Sequence, residues 1–197
     1  MSPILESIGS VKGFGWGSFS IPPSFESIAT VTVASNAYSV DFTSIPQTYK
    51  HLQIRGIART AQTGQAGGAG LSMFFNNSGA SNHANHALGG DGTNASTRND
   101  TSNNYIPIRT GAVRAATTSG TYGASIVDII DYSSTTKNKT FRVFSGNEYN
   151  DAPLDIIVSL GSGLLISTTA ITSISISNVS YDLVPGTTFA LYGIKGA

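Results

Sequence analysis

The sequence predicts an all-β fold, an antiparallel two-sheet β-sandwich of jelly-roll type. Three observations lead there. Apolar and polar residues alternate with a period of two in several short runs, the mark of strands buried on one face. Clusters of Gly, Asn, Asp, Ser and Pro separate those runs. No stretch combines helical spacing of apolar residues with a composition that favours a helix. A chain of 197 residues fits one such domain with a sizeable core.

Residues 1–23 stand apart from the domain, which is assigned to residues 24–197. Ile4, Leu5, Ile8 and Val11 sit at helical spacing, but Gly9, Gly13, Gly15 and Gly17 would each cost a helix about 1 kcal/mol relative to Ala. Phe14, Trp16 and Phe19 lie among those glycines, and Pro22 and Pro23 close the segment. One expectation is extended chain packed on its own domain. The other is an anchoring arm, in which flexible glycines let large aromatics settle into another protein's pockets. Phe14, Trp16 and Phe19 are then the docking residues. Glu6 and Lys12 interrupt the apolar residues, so the segment reads neither as a secretory signal nor as a membrane span.

From residue 25 the strand signals recur. Residues 28–33 are a β-branched run, and Asn36 and Ala37 read as a hairpin turn into residues 38–42, where Tyr38, Val40 and Phe42 share a face. Residues 51–59 alternate, with Leu52, Ile54 and Gly56 inward and Gln53, Arg55 and Ile57 outward. A glycine-rich loop at 61–70 leads to a strand at 71–76. Residues 77–104 hold many Asn, Gly, Ser and Thr, a surface loop or weak edge strands. Short strands follow at 105–109, 122–132, 140–146 and 155–160, the last ended by Gly161 and Gly163. Residues 171–178 alternate again, with Ile174 and Ile176 on one face. Pro185 and Gly186 then turn the chain into 188–194. This last strand looks like a closing edge, yet Leu191 and Gly193 on one face and Ala190, Tyr192 and Ile194 on the other make both faces apolar. Such a strand belongs between two layers, or between a sheet and a neighbouring subunit. The tally is about eight to ten strands.

Charge and composition narrow the function. Only 11% of residues are charged, against roughly 25% in ordinary globular chains, and close to a quarter are Ser or Thr. Eleven basic and eleven acidic residues cancel, so no long-range field draws the chain to nucleic acid or to anionic lipid. Weak self-repulsion favours life inside an assembly. The absence of cysteine removes disulfides, thiolate nucleophiles and zinc–thiolate sites together.

The candidate chemical sites are sparse. His83, His86 and Asp91 are the residue types that share a divalent ion, but a spacing of three suits a helix face rather than a strand. Asn147, Glu148, Asn150, Asp151 and Asp155 supply the oxygens calcium takes, and an Asx-bonded turn explains them equally. Asp128 and Asp131 would form a hydrolytic carboxylate pair only if they faced together, and an odd separation in a strand sends them to opposite faces. No Gly-x-Ser-x-Gly elbow joins a strand to a helix, and Gly161-Ser162-Gly163 and the glycines at 64–70 lack the helix that phosphate binding uses. No catalytic residue, metal or cofactor is therefore assigned. Tyr105, Tyr122, Tyr149 and Tyr181 lie near loops, where aromatic rings stack on sugars while amides satisfy hydroxyls.

Several segments in order carry a resemblance: FTSIPQTYKHLQIRG at 42–56, FNNSG at 75–79, HALGGDG at 86–92, IIDYSSTTKNKT at 129–140 and FALYGIKG at 189–196. Together, across roughly residues 40–197, they resemble a family of virion structural proteins of tailed bacteriophages. The resemblance implies a particle component of capsid-decoration or head- or tail-fibre type, and it brings no catalytic motif. The expectation is a non-enzymatic structural virion protein bound through its N-terminal arm to other virion proteins of the capsid, neck or tail. It is expected to be a homo-oligomer, a trimer being one form, with no nucleic-acid or membrane partner. The alternative is a host-surface glycan-binding adhesin, a receptor-binding tail protein, with the four tyrosines as glycan contacts.

Overall fold

A computed structural model describes residues 24–63, 68–115, 119–147 and 157–196. The proposed arm, with Phe14, Trp16 and Phe19, lies outside them, as does Tyr149. The described chain is all-β, with twelve strands and no helix. They are β1 (Phe25–Thr32), β2 (Ser39–Phe42), β3 (His51–Thr60), β4 (Gly68–Phe75), β5 (His83–Gly90), β6 (Ala95–Asn103), β7 (Ile106–Arg114), β8 (Gly123–Ile130), β9 (Lys139–Asn147), β10 (Ile157–Leu165), β11 (Ile174–Ser177) and β12 (Thr188–Ile194).

Hydrogen bonds join all twelve into one mixed sheet. One run of strands is β1-β12-β3-β8-β9-β10-β5-β6, and a second is β2-β11-β4-β7. They meet at β3, whose residues up to Ile57 pair with β12. Its last two residues pair instead with β7, Arg59 with Val113 and Thr60 with Arg114, in the single parallel pairing among the described residues. Thr187 fixes this fork: its buried hydroxyl accepts from the Arg59 amide and donates to the Arg59 carbonyl, both at 3.1 Å. The Arg59 guanidinium is itself buried and bonded to the carbonyls of Thr121 and Ala115 at 3.0 Å. Carbonyl oxygens thus satisfy an interior charge that would otherwise be prohibitive.

Each strand contributes alternate residues to one core. Leu52 and Ile54 of β3, Val127 and Ile129 of β8, Phe141 of β9 and Phe189 and Leu191 of β12 meet Leu71 and Met73 of β4, Ile106 and Ile108 of β7 and Ile174 and Ile176 of β11, all at most 1% exposed. β7 lies across β8 and β9 without ladder bonds to either. Glycine makes that approach possible, because a Cβ on Gly123 would stand 2.8 Å from the Ala112 nitrogen.

Several expectations need correction. Asn36 and Ala37 are not a hairpin turn: β1 pairs with β12 while β2 pairs with β11, and Ala37 bridges to Leu183. Local turn chemistry is overridden there by the apolar faces of strands distant in sequence. Tyr38 precedes β2 and is 61% exposed, off the buried face of Val40 and Phe42. Gly161 and Gly163 do not end β10 but run through its middle, opposite Ala87 and Asn85 of β5. The last strand is not an edge, since β12 is flanked by β1 and β3. Its two apolar faces hold, with Phe189, Leu191 and Gly193 buried and the alternate residues half-buried. The passage 77–104 takes the strand alternative rather than the loop: it is the β5–β6 hairpin with β6 at the sheet edge, closed by Asp91, whose carboxylate accepts from the amides of Thr93 at 2.9 Å and Asn94 at 2.6 Å.

Candidate functional site

The period of two that buries one face of β8, β9, β10 and β5 turns the alternate residues outward, and here many of those are apolar. Register brings them into line. Ile126 of β8 is opposite Phe144 of β9, Phe144 is opposite Leu160 of β10, and Leu160 is opposite Leu88 of β5. They are 40%, 53%, 54% and 60% exposed, so nothing in the chain's described residues covers them. At the strand spacing of about 4.8 Å the row runs ~15 Å across the sheet. Ile57 of β3 and Val158 of β10, each 46% exposed, widen it on one side.

The stripe has a polar border on the other side. Gln53, Asp128, Arg142, Ser162 and His86 form the adjacent row. Gln53 donates to Asp128 at 2.7 Å, and Arg142 reaches the other Asp128 oxygen at 3.4 Å. Toward β1 the surface becomes aromatic: Phe25 stacks on Tyr192 with ring centres 4.9 Å apart, and the Arg55 guanidinium lies over both rings. The Phe144 and Leu160 ridge separates two hollows. One, of about 430 Å³, is lined by Tyr122, Ile126, Phe144 and Val158. The other, of about 380 Å³, is lined by Leu88, Leu160, His86 and Arg142. An apolar patch rimmed by polar residues is the form of a protein-contact surface.

The residues singled out from the sequence are not gathered here. His83 is buried with Nδ1 3.0 Å from the Asn103 carbonyl, while His86 faces outward and Asp91 sits in the hairpin turn. Burial holds the His83 imidazole below the ordinary histidine pKa. Among the described residues no group of three His, Cys, Asp or Glu side chains is placed to hold a metal. Asn147 turns inward to the carbonyls of Thr110 and Ala112, at 3.1 and 3.4 Å; Glu148, Asn150, Asp151 and Asp155 lie outside the described residues. Asp128 is on the outer face, whereas Asp131 follows β8 beside Lys137, Lys50 and His51, with the Lys137 hydrogen bond foremost in holding its carboxyl below the usual range. Tyr105 packs near Phe74, Tyr122 donates to the Pro185 carbonyl at 2.9 Å, and Tyr181 is 40% exposed in a separate turn. No ring contact among the described residues joins any two of these tyrosines.

The stripe residues had a signal in the sequence. Residues 124–130, 141–144 and 156–160 carry apolar groups at both parities, which is more than one buried face requires. Against known proteins, no family model matches the chain and no curated protein matches it.

Proposed function

We propose that this chain is a non-enzymatic structural component of a tailed-bacteriophage virion, a capsid-decoration or head- or tail-fibre module, working as a homo-oligomer and joined to the particle by residues 1–23. The observation that carries the assembly reading is the aligned stripe of Ile126, Phe144, Leu160 and Leu88. With Ile57 and Val158 it offers on the order of 500 Å² of apolar surface, at the upper end for a solitary domain. With its polar rim it approaches the roughly 800 Å² per partner of a standard interface. The occupant proposed is a second copy of this chain: zero net charge opposes no self-association, and Asp128 and Arg142 neutralise each other at the rim.

The phage assignment rests on the resemblance of the ordered segments between residues 42 and 196. We take the fold as a two-layer jelly-roll sandwich, in which the mixed sheet doubles over so that β7 and its neighbours cover β8 and β9. The arm reading is tested by replacing Phe14, Trp16 and Phe19 together with Ala. The variant should fold and be missing from purified particles; incorporation at the wild-type level contradicts the arm.

A further inference from the structure

β6 is an edge strand, so its inner side chains are reached from solvent as well as from the core. Ser96, Arg98 and Asp100 share that face by the two-residue period. Asp100 accepts a hydrogen bond from the Arg109 guanidinium of β7. Arg98 is exposed, and it takes part in none of the ion pairs among the described residues. Between β5, β6 and β10 on one side and β4 and β7 on the other lies a cleft of about 370 Å³, with Arg98, Arg109, Ser96, Thr110, Ser159 and Gly70 among its walls.

Two details mark this cleft as more than a packing gap. The Arg109 Nε–H is buried and has no hydrogen-bond partner among the described residues, a state native interiors rarely leave. Thr110 is held at φ 58°, a left-handed conformation that is costly for a β-branched residue. Asn147, donating to the Thr110 carbonyl at 3.1 Å, and the Ser145 hydroxyl, 3.3 Å from that of Thr110, keep it there.

The chemistry selects a ligand class. Two guanidiniums against one carboxylate leave one uncompensated positive charge, and a guanidinium fork matches a carboxylate. The Asp100 carboxylate, paired with the lining residue Arg109, disfavours a dianion. Ser96, Thr110 and Ser159 offer hydroxyls that both donate and accept, as alcohol-rich ligands require. The volume is at the small end for ligand sites, and the opening at a sheet edge lets a polymer continue into solvent. We propose that this cleft binds the carboxylate-bearing ring of an acidic polysaccharide, a hexuronate unit, with Arg98 on the carboxylate and the hydroxyl side chains on the ring. Leu88 and Arg98 line this cleft and also the hollow beside Leu160, so the two surfaces adjoin at the β5–β6 hairpin.

The test is titration of sodium glucuronate into the ¹⁵N-labelled full-length protein, followed by amide NMR, with methyl glucoside and inorganic phosphate as comparison ligands. Saturable shifts at residues 96–98, 109–110 and 159 with glucuronate alone, weakened at least about tenfold in Arg98→Gln, are the expected result. Arg98 takes part in no ion pair among the described residues, and a matching thermal melt shows that the variant is folded. Absence of saturable shifts, an equal response to methyl glucoside, tighter binding of phosphate, or unchanged affinity in a folded Arg98→Gln would overturn the assignment.

Discussion

Lys139 is fully buried, and no carboxylate among the described residues bonds it; its ammonium donates to the carbonyls of Ser134, Lys137 and Ser167 at 2.7, 3.0 and 3.1 Å. Burial pushes its pKa below the ordinary lysine value, and the three carbonyls keep the turn before β9 against the chain after β10. In the sequence Lys139 is one polar residue in a polar turn, because the carbonyls that define its role come from the backbone and carry no residue signature. Gly163 is the same lesson in reverse. Glycine in a strand reads as a terminator, yet here it admits a neighbour: a Cβ would lie 2.3 Å from the Ala84 carbonyl oxygen and 2.3 Å from the Phe141 ring. Gly163→Ala should therefore destabilise the fold by about 2–3 kcal/mol. Gly79→Ala, whose Cβ meets nothing within 4 Å, should leave stability unchanged or raise it by up to about 1 kcal/mol. Denaturant unfolding of the two variants checks the contrast, and equal midpoints would mean that β10 is not so tightly enclosed.

Among the elements, the β5–β6 hairpin is where pH should act first. His83 packs near Phe75 and its Nε2 has no hydrogen-bond partner among the described residues, so the folded hairpin prefers the neutral ring. A histidine with a depressed folded pKa contributes its full stability above the unfolded value of about 6.5 and loses it as pH falls below that value. Unfolding midpoints should therefore drop between pH 7 and 5, and His83→Gln should flatten the profile in that window. A wild-type profile flat over that range would remove His83 as the cause. The carboxylates act in a lower window. Glu26, bonded to Lys195 at 2.5 Å and Tyr49 at 2.9 Å, and Asp91 and Asp131 are held below their ordinary values of 4.5 and 3.8. Their contribution is present above those values and lost as pH falls through the depressed ones. At this scale the strands with one clean apolar face, β3 and β11, were legible from the sequence. β5 and β6 were not resolved from loop: β6 presents almost only polar residues, and an edge strand held by backbone ladder bonds needs no apolar pattern. The sequence suggests a β1–β2 hairpin where the strands pair with β12 and β11 instead, because pairing between distant strands leaves no local trace.

For the molecule as a whole, the sequence already gave the class, all-β, with low charge and no cysteine, and the two-faced apolarity of its last strand. It did not give the order of strands, in particular the fork at β3 that joins two runs through Arg59 and Thr60. The stripe was legible only as surplus apolarity, since its alignment depends on the mutual register of β8, β9, β10 and β5, which no single segment encodes. That alignment is the basis of the claim that copies of this chain associate through an open sheet face. Sedimentation of the full-length protein at micromolar concentration tests it most directly. The wild type should sediment as a multiple of 20.4 kDa, while a variant carrying Phe144→Lys and Leu160→Lys, both at exposed positions where folding stability changes little, should sediment as a folded monomer. A wild type that is monomeric, or a double variant that keeps the wild-type mass, would contradict the account.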